Sequence, residues 1–155
     1  MSEKRINVLL VDDEEALLSS MQRRLQFRDF NVIAVNRGEK ALKAVREHPV
    51  DVAVVDIKMP GINGKEVLEA LKAEYPWMEV LILTGHGSFN PEEEGVSDKI
   101  HSCLVKPCDL ATLQEALKDA YKKTVINRSR IRPRDPDDAY IKGAAEGSPD
   151  VALKK

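Results

Sequence analysis

Five short apolar runs recur between Ile6 and Val105, each separated from the next by a longer segment of helical period, and they leave little choice of fold. They are Ile6–Val11 (INVLLV), Phe30–Val35 (FNVIAV), Val50–Val55 (VDVAVV), Val80–Leu83 (VLIL) and Ile100–Val105 (IHSCLV). Rich in Val, Ile and Leu and mostly without polar alternation, they read as strands covered on both faces. Between them, Leu17, Met21 and Leu25 recur every four residues on one helical face. Leu42 and Val45 follow Gly38 and stop before Pro49, and Val67, Leu71 and Tyr75 form a third stripe closed by Pro76. Leu113, Ala116, Leu117, Ala120 and Tyr121 form the last, with Asp109 placed as its N-cap. Alternation of this kind implies an α/β protein, a parallel sheet with helices on both faces and right-handed crossovers.

The helix between the fourth and fifth strands is the weak element. Asn90-Pro91-Glu92-Glu93-Glu94 is a good helix start, but Gly95 interrupts it and only Phe89 and Val96 are sizeable apolar residues between Gly85 and Lys99. A short or irregular helix is expected there. The domain is expected to span residues 4–123. From Thr124 to Lys155 the prolines, scattered charge and missing apolar period read as a flexible tail without an output domain. Arg128, Arg130, Arg132 and Arg134 alternate there, but Asp135, Asp137 and Asp138 follow at once and oppose a nucleic-acid field.

Composition excludes several classes. The 24 Lys and Arg nearly balance the 26 Asp and Glu, so a net charge of −2 gives no general affinity for nucleic acid. No apolar run approaches the ~20 residues that span a bilayer. The opening MSEKRI is charged and leads straight into a strand, so no secretory leader and a cytoplasmic location are expected. Cys103 and Cys108 are too few for a disulfide framework and read as small hydrophobes. His48, His86 and His101 show no zinc-ligand spacing, and no phosphate-binding G-x-x-x-x-G-K-[ST] loop occurs.

In an open parallel sheet, ligands bind beyond the carboxyl ends of the strands. The first strand ends in Asp12-Asp13-Glu14, the third in Asp56, the fourth in Thr84 and the fifth in Lys106-Pro107. Carboxylates converging in a partly desolvated cleft repel one another, and a hard divalent cation such as Mg²⁺ resolves that conflict. Lys106 adds a positive charge suited to a phosphoryl oxygen, and Thr84 adds a hydroxyl. A central carboxylate such as Asp56 belongs to a nucleophile class that forms aspartyl phosphates.

Asp12-Asp13, Asp56 with Met59-Pro60-Gly61 after it, Thr84-Gly85 and Lys106-Pro107, in that order and spacing, resemble the receiver domain of two-component response regulators, chemotaxis regulators among them. The resemblance implies a flavodoxin-like (βα)5 fold with strand order 2-1-3-4-5. It implies Asp56 as phosphoacceptor and Mg²⁺ held by Asp13, Asp56 and the backbone carbonyl of Lys58, with Asp12 acting mainly through water. Lys106 would contact the phosphoryl group, Thr84 would move toward it on activation, and Lys106-Pro107 would be cis. The Lys58 side chain and His86 would flank the site and tune the lifetime of the phosphoryl group.

The implied function is phosphorelay signal transduction, with self-catalysed phosphotransfer and slow autodephosphorylation rather than conventional enzyme activity. The implied partners are a sensor histidine kinase or phosphotransfer protein and a downstream effector protein. A phosphorylation-dependent dimer is among the assemblies it allows, whereas neither membrane association nor direct DNA binding is expected. The signal would emerge on the surface made by the fourth helix, fifth strand and last helix.

Two departures stand out: Cys103 occupies the switch position usually held by Tyr or Phe, with His101 the nearest ring, and the segment after Thr84 is polar and broken by Gly95. They keep open a phosphate-independent receiver-like binding module. An Mg²⁺-dependent phosphohydrolase is the other alternative, although Lys58 stands where that class places a general acid.

Overall fold

The computed structural model describes residues 5–59, 61–85 and 89–131. Its elements run β1 (Ile6–Val11), α1 (Glu15–Gln26), β2 (Phe30–Val35), α2 (Gly38–Glu47), β3 (Val52–Asp56), α3 (Gly64–Glu74), β4 (Glu79–Thr84), β5 (Ser102–Val105) and α4 (Leu110–Ile131). All five strands are parallel, in the order β2-β1-β3-β4-β5. The doubly wound sheet and its order are those expected.

Strand alternation divides the core into two layers. Leu9, Val11, Ala53, Val55, Val80 and Ile82 face α2 and α3, where Ala41, Val45, Val67, Leu68 and Leu71 are buried against them. Val8, Leu10, Val52, Val54, Leu81 and Leu83 face α1 and α4, meeting Leu18, Leu25, Leu113 and Leu117. β3 and β4 are buried along their whole length, so the groups that end them sit over the middle of the sheet.

Four helices, not five, form among the described residues. Between β4 and β5 the Asn90 signal starts one turn: its side chain accepts from the backbone N–H of Glu92 at 3.0 Å, and Glu94 N–H bonds the Asn90 carbonyl. Gly95 then takes φ +74° and turns the chain away. With only Phe89 and the fully buried Val96 to pack inward, a single turn gains too little burial to propagate as a helix.

The last helix runs past the boundary expected at residue 123, to Ile131. Thr124 explains why. It continues the stripe of Leu113, Leu117 and Ala120, and it is completely buried. Its hydroxyl donates to the Asp51 carbonyl at 3.0 Å and accepts from Glu79 N–H at 3.1 Å, so a polar residue docks against the amino ends of β3 and β4. The chain divides into compact units Met1–Val125 and Ile126–Lys155, and the described part of the second is the end of α4. The rest of the expected tail, from residue 132, lies outside the described residues.

Candidate functional site

Asp12 follows β1, Asp56 ends β3, Thr84 ends β4 and Lys106 follows β5. All four therefore stand at the carboxyl edge of adjacent strands, as the apolar runs had indicated. Asp12, Asp56 and Thr84 are buried, and the Lys106 side chain is only 13% exposed. Backbone bonds fix the edge: Asp12 N–H reaches the Val35 carbonyl, and Lys106 N–H reaches that of Thr84 at 2.7 Å. The Lys106-Pro107 peptide is cis.

The loop after Asp56 is built for close approach. Asn63 caps α3 reciprocally with Glu66, accepting from its N–H while the Glu66 carboxylate accepts from Asn63 N–H. Gly61 takes φ +76°, the left-handed region that glycine enters at no steric cost. Gly64 N–H donates to the Ile57 carbonyl, bringing α3 down onto the carboxyl end of β3.

Carboxylate oxygens of Asp12, Asp13 and Asp56 lie within 4.8 Å of one another. This oxygen-only set of three acids fits a small hard cation and would be self-repelling without one. Lys106 Nζ lies 2.8 Å from Asp12 Oδ2, 2.7 Å from Glu14 Oε1 and 3.6 Å from Asp56 Oδ2. Burial, with the Asp12 charge next, pushes the Asp56 carboxyl up to about 6, while Lys106 and the Lys58 N–H oppose the rise. Burial works against the Lys106 ammonium, but its contacts with Asp12 and Glu14 outweigh that and hold it above the ordinary lysine range.

The remaining expected residues fall in different places. Lys58 is exposed on the loop, its backbone N–H 3.3 Å from Asp56 Oδ1. Cys103 lies on the α3-facing side of β5, opposite Ile82, half-buried with its thiol pushed up by burial. His101 is the nearest ring in the sequence. Its Nδ1 is 3.5 Å from Glu79 Oε1 at the amino ends of β4 and β5, the opposite end from Lys106. His86 and Pro60 lie outside the described residues. Glu14 is the contact the sequence reading left without a role; its one signal was being a third acid in the run that closes β1.

Residues 8–118 match the family model of the response regulator receiver domain. The chain belongs to that family. It is 31% identical over 124 residues to the transcriptional regulatory protein GlrR of Escherichia coli, covering 80% of this chain and 28% of that protein. It is 32% identical over 129 residues to a putative response regulator NtrX-like of Rickettsia felis, covering 82% and 27%. The chain thus spans under a third of the length of these relatives. A receiver domain structure from Clostridium thermocellum superposes with TM-score 0.72 at 27% identity, covering 78% of this chain and 98% of that one. A Rhodopirellula baltica structure titled adenylate cyclase superposes with TM-score 0.75 at 30% identity, covering 83% and 96%. The matched segment is a receiver, a signalling domain. No helix among its described residues is long and apolar enough to cross a membrane.

Proposed function

We propose that this receiver accepts a phosphoryl group on Asp56 from a histidine kinase or phosphotransfer protein and relays the signal through protein contact. The observation that carries the reading is a buried Asp56 carboxylate clustered with two further acids, with Lys106 Nζ 3.6 Å from it. A carboxylate in that position is a nucleophile, and an adjacent ammonium is the partner a transferring phosphoryl group needs.

One Asp56 oxygen bonds to phosphorus while the donor's bond to phosphorus breaks and the donor leaves with the electron pair. The leaving group is acetate from acetyl phosphate, or imidazole from a phosphohistidine. Asp13, Asp56 and the Lys58 carbonyl would hold Mg²⁺, with Asp12 acting mainly through water. When bound, the ion supplies positive charge that offsets the charge on the phosphoryl oxygens. Lys106 contacts one of those oxygens, and the Thr84 hydroxyl moves to bond another. The Lys58 side chain sets how long the group lasts, a role the resemblance also gives to His86.

Phosphorylation then biases the packing of the 89–101 segment, β5 and α4, with Cys103 in place of a switching ring. A phosphorylation-dependent dimer and a cytoplasmic setting accompany this reading. GlrR is named a transcriptional regulatory protein, so the output proposed is transcriptional. The sequence leads to no expectation of direct DNA binding by this chain, whereas the name of GlrR favours a transcriptional output.

Incubation with acetyl phosphate and Mg²⁺, followed by intact-mass analysis beside Asp56→Ala, tests this. One phosphoryl adduct that requires Mg²⁺ and disappears in the variant is expected. A wild-type chain that takes no adduct while still binding Mg²⁺ would contradict it and favour a phosphate-independent binding module.

A further inference from the structure

Glu14 is the N-cap residue of α1, a position where a carboxylate ordinarily accepts from the first backbone N–H groups of the helix. Here its side chain makes no capping bond. Its own N–H is held by Asp12 Oδ1 at 2.9 Å, and its carboxylate reaches 92 residues along the chain to Lys106 Nζ. The two short contacts of that ammonium, 2.7 Å to Glu14 and 2.8 Å to Asp12, contrast with 3.6 Å to Asp56. Lys106 is therefore held closer to Asp12 and Glu14 than to the group it would serve. Asp12 is buried and fixed, whereas the Glu14 side chain is 61% exposed and can leave into water at little cost.

Resting on the Asp56 reading above, we propose that Glu14 is a latch. It competes with the incoming phosphoryl oxygens for Lys106 and is displaced when Asp56 is phosphorylated. Glu14 is a positioning residue, acting through Lys106, and it is not one of the three clustered carboxylates. Its loss leaves the acidic cluster intact and frees the ammonium to swing toward Asp56. The latch slows phosphorylation and shortens the life of the phosphoryl group, because it offers Lys106 an alternative partner at every moment.

The test compares Glu14→Gln with Glu15→Gln in the full chain. Glu15 removes the same charge one residue along α1, but its carboxylate is bonded to Asn36 rather than to Lys106. Phosphorylation by acetyl phosphate with Mg²⁺ is expected to be about two- to fivefold faster in Glu14→Gln, the scale of an exposed ion pair. Glu15→Gln should match the wild type. The Glu14→Gln advantage should shrink toward none in 1 M salt, where the screening length is about 3 Å. Mg²⁺ affinity by calorimetry should fall no more in Glu14→Gln than in Glu15→Gln. An unchanged or slower Glu14→Gln, an equal gain in Glu15→Gln, or a gain indifferent to salt would overturn the latch. Should the wild type take no phosphoryl group, the Asp56 reading falls separately. The latch is then decided by a urea-denaturation cycle of Glu14→Gln with Lys106→Met, in which strict additivity overturns it and favourable coupling upholds it.

Discussion

Gly64, the first residue of α3, packs so tightly on the end of β3 that a methyl group at its Cα would lie 2.2 Å from the Asp56 carbonyl oxygen and 2.5 Å from Ile57 Cα. Both contacts are with backbone, which cannot rotate away. Gly64→Ala therefore has to push α3 and β3 apart. A loss of about 1–3 kcal/mol in urea denaturation is expected, the usual scale of overpacking. Phosphorylation should slow by at least about tenfold even where the variant stays folded, because an Asp56 carboxylate displaced by a fraction of an ångström loses its alignment. An Ala variant as stable and as reactive as wild type would show that the loop has slack.

Asp56 is held in a place that disfavours its charge. Its carboxyl is pushed up to about 6, mainly by burial and then by Asp12. The folded state thus holds this proton more tightly than the unfolded chain, so ionisation costs stability progressively from about pH 4 and fully above about pH 6. Without Mg²⁺, Asp56→Asn should be about 1–2 kcal/mol more stable than wild type at pH 8, a figure reduced for solvent screening. The difference should vanish as the pH falls toward 4. Thermal melts across that range, repeated with Mg²⁺, check it; the added ion should raise the Tm of the wild type far more than that of the variant.

Thr124 is a buried polar anchor joining α4 to β3 and β4. Thr124→Val keeps its shape and removes its hydroxyl, withdrawing one partner each from Glu79 N–H and the Asp51 carbonyl. A cost of about 1–3 kcal/mol in denaturant unfolding is expected. The phosphorylation rate should not change, since the anchor lies at the amino ends of the strands.

Both thiols are pushed up, Cys103 by burial and Cys108 by burial together with the Asp109 carboxylate. The thiolate is the reactive form, so iodoacetamide should modify each more slowly than a free cysteine at pH 8. The rate should keep climbing above pH 9. Peptide mass mapping over time measures both together.

The sheet was legible because its strands are covered on both faces, which imposes unbroken apolar runs on the sequence. The acidic edge was legible for a related reason: a polar residue that ends such a run lands at the same edge as its neighbours, so Asp12, Asp56, Thr84 and Lys106 declared one site. What escaped depended on side-chain reach. Nothing in the run Asp12-Asp13-Glu14 tells that the third acid would bond a lysine contributed by β5. Thr124 escaped because a threonine in a helical stripe reads as its polar end until a bond partner for its hydroxyl is seen. The Asn90 start signal was real but covered only one turn, and with Gly95 at φ +74° and only Phe89 and Val96 to pack inward around it, the turn goes no further.

Mapping the phosphoryl group to its residue tests the central claim most directly. After reaction with acetyl phosphate and Mg²⁺, borohydride reduces an aspartyl phosphate to homoserine, and peptide sequencing by mass spectrometry then finds where the homoserine stands. Homoserine at position 56 alone, absent when Mg²⁺ is withheld, is the predicted result. Homoserine at Asp12 or Asp13, or none in a chain that still binds Mg²⁺, would contradict the assignment of Asp56 as phosphoacceptor.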